Sequence, residues 1–183
     1  MSDVGNLSVE VIVVDNHSTD GSVDELKTHK QSLATQKRSL SLRDNLKLFL
    51  NTKNLGFAKG NNIGVRKTTG RYVLFLNPDT VLPRNALKMM FEFMEKHQDV
   101  GVASPRLELA NGTLDEASHR GFPTPWNAFC HFSGLANLFP KSRIFTGYTM
   151  GWLLNETMPH EVDSVSGAFL FTRQEIGEEI GWW

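Results

Sequence analysis

NLGFAKGNNIGVRKTTGRYVLFLNPDTVLP, residues 54–83, reads as a Gly-rich turn, a short helix, a buried strand and a loop carrying Asp79. The apolar run YVLFL at 72–76 delivers Asn77-Pro78-Asp79-Thr80 at its carboxyl end. In an open α/β sheet, that end of a strand is where ligands bind. Asp79 is therefore either a metal ligand or a turn residue, and its surroundings must decide between the two.

Upstream, VEVIVV at 9–14 is a nearly unbroken β-branched run, as expected of a strand buried on both faces of a parallel sheet. It ends in a dense turn cluster from Asp15 to Gly21. Ser22 and Glu25 have capping-box spacing, which predicts a helix from about Val23, broken around 39–44. LKLFL at 46–50 alternates and predicts a second strand. The helix after Gly56 is expected to end at Gly70, a good residue for a left-handed cap. Asn61, Asn62 and Gly64 are poor helix formers, so small or amide side chains are needed there for a reason other than helicity.

Downstream, Pro83 suits the first position of a helix whose Leu87, Met90, Phe91 and Met94 face the sheet at i, i+3, i+4, i+7. A short strand follows at 100–103, and Asn111-Gly112 predicts a hairpin turn. Residues 126–138 suit a short helix. The aromatics of this region, among them Phe122, Trp126, Phe129, Phe132, Phe139 and Phe145, are expected to pack across the sheet edge rather than meet lipid or a greasy acceptor. Strand character returns at 162–172, with Ser166-Gly167 marking a bulge or a close approach to a ligand, and 173–180 reads as helix. Alternating strands and helices specify an α/β fold with a largely parallel sheet.

Composition narrows the function. The 183 residues suit one domain with a real core, and 40% hydrophobic with 21% charged residues is that of a soluble protein. A formal charge of -1 leaves no basic excess for coating nucleic acid. The locally basic run from Lys27 to Lys47 reads as a solvated helix face. Cys130 is the single cysteine, no His pair has ligand spacing, and no signal peptide or membrane-length apolar run is visible. A cytoplasmic protein is expected. Walker, G-x-G-x-x-G and G-x-S-x-G motifs are lacking. Two carboxylates at strand ends remain, Asp15 and Asp79. Asp79 suits a hard cation that also holds a diphosphate, and Asp15 suits a base or ribose, but an Asx turn explains either one alone.

Taken together, VEVIVVDNHSTDGSVDEL, the 54–82 segment, FMEKHQDVGVASPRL and EVDSVSGAFLFTRQEI strongly resemble the inverting family 2 glycosyltransferases, especially rhamnosyltransferase-like members. The resemblance covers most of the chain in the family's order. It implies a GT-A fold, a Rossmann-like sheet flanked by helices, with residues 1–103 as the nucleotide-sugar half and 104–183 as part of the acceptor half. Asp15 with Asn16 would contact base and ribose, and Asn54, Gly56, Phe57 and Asn62 would close around the nucleoside. Asn77-Pro78-Asp79 would stand in the DxD position, with Asp79 holding Mg²⁺ or Mn²⁺. Ser166 and Gly167, with Ala168, would line the acceptor side.

The implied reaction is direct displacement at the anomeric carbon of a dTDP- or UDP-linked sugar, rhamnose in the most similar branch. The acceptor would be a saccharide or a lipid-linked glycan at the inner face of a membrane. Only eight residues precede Val9, and the chain ends at Gly-Trp-Trp. The resemblance therefore predicts a chain lacking the family's first βα unit, with a general base expected beyond Trp183 and a sheet edge open to pairing with a second copy. The alternative expectation is a non-catalytic nucleotide-sugar-binding or assembly module of the same fold.

Overall fold

A computed structural model describes residues 7–35 and 45–183; the expected helix break at 39–44 lies outside them. The chain divides into two compact units, Met1–Val73 with Thr172–Trp183, and Leu74–Phe171.

In the first unit, strand β1 (Val11–Asp15) pairs in parallel with β2 (Leu46–Leu50), Val11 opposite Leu46 and Asp15 opposite Leu50. Helix α1 (Ser22–Thr35) makes the crossover. The expected capping box does not form. Asp20 instead accepts both the N–H and the hydroxyl of Ser22, at 3.1 and 2.6 Å. Helix α2 (Phe57–Val65) packs on β1.

Its odd composition now has a cause. A Cβ at Gly64 would stand 3.2 Å from the Val14 methyl, and one at Gly60 would stand 3.6 Å from the Asn16 amide. The helix stops at Val65 rather than Gly70, and Gly70 is not left-handed. The reason is a polar clamp: Thr68 donates its hydroxyl to the Val65 carbonyl, while Glu10 accepts the Thr69 N–H and hydroxyl and pairs with Lys47 at 2.8 Å. The unit also contains α6 (Gln174–Ile180), ended by left-handed Gly181.

Strands β3 (Tyr72–Leu76), β7 (Phe169–Arg173) and β4 (Val102–Ala103) form a sheet in the order β3-β7-β4. The Gln174 N–H donates to the Arg71 carbonyl at one end of β3, and the Asn77 N–H to the Ala168 carbonyl at the other. Residue sums are equal at both ends, so β7 runs antiparallel to β3.

In the second unit, α3 (Ala86–Lys96) begins three residues after Pro83. Asn85 adopts a left-handed conformation (φ 69°), as Asn tolerates, and the Ala86 N–H closes a turn onto the Pro83 carbonyl. Met90 and Met94 are buried on the expected face. The Asn111-Gly112 hairpin forms, with Glu108 bridging Leu114. The stretch at 126–138 is two helices, α4 (Pro125–Phe132) and α5 (Leu135–Leu138), separated at left-handed Gly134. Thr124 caps α4 through the Asn127 N–H. The extended stretch at 162–172 is likewise two strands. Here β6 (Ser164–Val165) pairs antiparallel with β5 (His119–Arg120), then a turn at 166–168 passes the chain to β7. Phe169, Met94 and Cys130 are the largest fully buried side chains among the described residues, and all three lie in this unit.

Candidate functional site

The sequence candidates fall into two sets, one in each unit. In the first unit Asn16 is the hub. Its amide donates to the Asn54 side chain at 3.0 Å and the Gly56 carbonyl at 3.1 Å, and accepts from Asn51 at 3.2 Å and the Leu55 N–H at 2.9 Å. All four hydrogen-bonding positions of the amide are used within the chain. Asn16 thus shapes the 54–56 turn, and Asn54 reinforces it by accepting the Gly56 N–H at 2.8 Å. Gly56 takes φ 81°, which a side chain would strain. Asn51 was not singled out in the sequence, although the parallel register that sets Leu50 opposite Asp15 puts it beside Asn16.

Asp15 is buried and accepts the N–H groups of His17 and Ser18 at 3.0 and 3.2 Å, so its carboxylate is engaged in an Asx-type turn. The Ser18 hydroxyl foremost, with these backbone donors, outweighs burial and holds the carboxyl below the usual carboxylate range. A group depressed in this way stabilises the fold above its unfolded value of about 3.9, and that contribution is lost as pH falls through the lower folded value. Asp15→Asn is expected to lower Tm at neutral pH and to flatten its fall below about pH 4. A Tm–pH profile parallel to the parent's would refute this.

Asn62 is bonded in both directions to the main chain of Trp183, Nδ2 to the carbonyl at 2.9 Å and Oδ1 from the N–H at 3.4 Å. Half-exposed Phe57 meets the Trp183 ring edge-on at 5.6 Å. Beside it, the Asn61 amide nitrogen is buried with no hydrogen-bond partner among the described residues. Such an orphan donor costs roughly 1–3 kcal/mol unless a ligand satisfies it.

In the second unit, residues 77–80 form a turn closed by the Thr80 N–H on the Asn77 carbonyl at 3.1 Å, with Pro78 at the position where its fixed φ fits. The Ala168 carbonyl braces this turn twice, accepting the Asn77 N–H at 3.1 Å and the Thr80 hydroxyl at 3.3 Å. Ala168 is set in turn by its N–H to the Ser166 hydroxyl at 3.2 Å. Asn77, Asp79, Ser166 and Gly167 are thereby brought together. The Asp79 carboxylate is exposed and, like the Asn77 amide, has no partner among the described residues. The Asp15 carboxylate is thus engaged by its own turn, whereas that of Asp79, which also stands in a turn, is engaged by nothing among the described residues.

A hard divalent cation asks for one or two carboxylates plus substrate oxygens, and the free Asp79 carboxylate beside an amide oxygen donor fits that demand. No cluster of three or more metal-ligating side chains occurs among the described residues.

Sequence reasoning missed the flank of this set. His119 Nε2 lies 2.7 Å from His160 Nε2, while His160 Nδ1 meets the Met158 carbonyl at 3.0 Å. Burial holds His119 below the ordinary imidazole range, against the pull of the Thr149 carbonyl. Next to it, Gly121 donates to the Tyr148 carbonyl at 2.9 Å, and a Cβ there would collide with the Gly147 carbonyl. Gly121→Ala is expected to cost about 1–3 kcal/mol in urea unfolding. A cost under about 0.5 kcal/mol, the size of an ordinary surface change, would show that this approach is not tight.

Residues 3–153 match the profile of Glycosyl transferase family 2. A protein named "Uncharacterized glycosyltransferase" in Rickettsia felis is 26% identical over 133 residues, 72% of this chain and 18% of that protein. One of the same name in Rickettsia bellii is 30% identical over 88 residues, covering 48% and 11%, and one in Haemophilus influenzae is 31% identical over 87 residues, covering 48% and 31%. The chain thus spans less than a third of the length of these relatives. The crystal structure of S. aureus TarS 1-349 superposes with a TM-score of 0.56 at 20% identity, over 95% of this chain and 40% of that one.

The fold is that of the GT-A nucleotide-diphospho-sugar transferases. The chain belongs to glycosyl transferase family 2.

Proposed function

We propose that the chain carries the donor side of an inverting sugar transfer from a nucleotide-diphosphate sugar to a saccharide or lipid-linked acceptor. The observation that carries this reading is the free Asp79 carboxylate, presented on a turn braced by the Ala168 carbonyl just ahead of β7. Asp79, with Asn77 beside it, holds Mg²⁺ or Mn²⁺, which when bound offsets the charge of the diphosphate leaving group. Phe57 offers a ring face to the base, and the orphan Asn61 amide supplies an unspent donor beside Asn62. Asp15 and Asn16 act at one remove, by fixing the turns at 15–18 and 54–56. Ser166 and Gly167 set the acceptor side of the turn. Residues 1–103 then serve the donor and 104–183 the acceptor, with a dTDP- or UDP-linked sugar, rhamnose by resemblance, as the group moved.

The test is a melting series with Mn²⁺ or Mg²⁺ and dTDP- and UDP-sugars, each added alone and together. A nucleotide at about 100 times its Kd stabilises by about 2.7 kcal/mol, a shift of a few degrees. That shift is expected only when metal and nucleotide are both present. No shift with any pair would sink the reading, and a shift in full-length protein without sugar transfer would favour a binding module instead.

A further inference from the structure

The aromatics expected at the sheet edge are largely exposed instead. On α4, Trp126, Phe129 and Phe132 follow one another at three-residue spacing and are 49%, 56% and 86% exposed. The stripe continues onto the 139–145 segment. Trp126 meets Phe129 at 5.8 Å and Phe145 at 6.4 Å between ring centroids, and Phe145 stacks on Phe139 at 5.0 Å. The indole N–H is already spent on the Ile144 carbonyl at 2.9 Å, so this edge of the ring asks nothing of water. A patch of this kind on a folded protein marks a binding surface.

Charge identifies the occupant. Residues 117–155 contain no Asp or Glu and three full cations, Arg120, Lys141 and Arg143, a local charge of +3 in a chain whose net charge is -1. Lys141 and exposed Ile144 lie within the aromatic segment, and Arg143 sits 5.8 Å over the Trp152 ring. A second copy of the same face would bring these cations against themselves, because a two-fold contact apposes like with like. An apolar surface bearing negative charge accepts both features at once. Aromatic rings beside Lys and Arg are also the composition that settles at the boundary of lipid headgroups and acyl chains.

We propose that the face formed by α4 and residues 139–145 docks on an anionic lipid bilayer, with Phe129 and Phe132 entering the headgroup layer and Lys141 and Arg143 meeting lipid phosphates. No helix among the described residues is long and apolar enough to cross a membrane, so this contact would lie along the surface.

The test is sedimentation of the whole chain with vesicles of phosphatidylcholine alone and with about one quarter phosphatidylglycerol. Binding is expected to favour the anionic vesicles and to weaken as salt shortens the screening length from about 10 Å to about 3 Å. Lys141→Gln with Arg143→Gln is expected to weaken it about 25-fold, roughly fivefold for each cation. Phe129→Ser with Phe132→Ser is expected to weaken binding to both vesicle types at least tenfold, as lost apolar insertion requires. Should the double variant fail to keep the parent's Tm, Phe132→Ser alone serves, since that ring is almost wholly in solvent. Equal binding to both vesicle types, binding unchanged in the variants, or no vesicle binding in a chain whose self-association the Phe variants abolish would each overturn the proposal.

Discussion

Asp79→Ala is expected to remove the joint stabilisation by divalent cation and nucleotide sugar, and to cut sugar transfer by the full-length protein about 10²–10³-fold, as loss of a group that stabilises developing charge does. Melting of the free chain should stay within about 1 °C of the parent, because the carboxylate is exposed and makes no contact among the described residues that the change would break. The combination is diagnostic. A turn residue would lose stability without losing ligand response, whereas a metal ligand does the reverse. Asp79→Asn keeps the shape and removes the charge, so a parent-like response to Mn²⁺ in that variant would sink the assignment. Asp15→Asn is the matched control, since its carboxylate is spent on the His17 and Ser18 N–H groups.

Phe169→Ala should be the most costly single change in the second unit. The side chain is fully buried at the start of β7, and deleting a buried Phe side chain costs about 3–5 kcal/mol. Its position adds a functional effect. Ala168 immediately precedes it and holds the 77–80 turn through its carbonyl. Urea unfolding should show the lost stability. At temperatures where the variant is still folded, its affinity for metal and nucleotide together should also fall. A loss below about 1 kcal/mol would mean that the site collapses around the missing ring with little penalty.

The strands were legible from their apolar, β-branched runs, although β1, expected to be buried on both faces, is only partly buried, with Val11 exposed. VIVVD, LKLFL and YVLFL are found as strands within a residue or two of the expected ends. Boundaries set by side chains from elsewhere were not legible. Nothing local to Val65 announces that Glu10, some 59 positions before Thr69, will accept that residue's N–H and hydroxyl and end the helix early. Pro83 misled for a related reason, since Asn85 took a left-handed turn that moved the helix start to Ala86.

For the site, sequence position identified the carboxylates but not their state of engagement. Asp15 and Asp79 both follow apolar strands, yet the carboxylate of only one of them is consumed by its own turn. That difference rests on where the next two N–H groups point, which composition does not record. The aromatic segment failed in the opposite sense. Hydrophobicity alone was read as burial, while the absence of acidic residues from 117 to 155, also plain in the sequence, pointed to a surface.

The doubly accepting Ala168 carbonyl has a consequence for how such a chain can diversify. One residue serves both sides: the Ala168 carbonyl holds the turn that presents Asp79, and the Ala168 N–H, in the preceding peptide plane, is held by the Ser166 hydroxyl. On the proposed function, reshaping 164–167 for a different acceptor would shift Ala168 and so disturb the turn that presents Asp79. Variants selected for a new acceptor should therefore carry compensating changes near Asn77 and Thr80, and those that leave both ends untouched should alter loops anchored elsewhere.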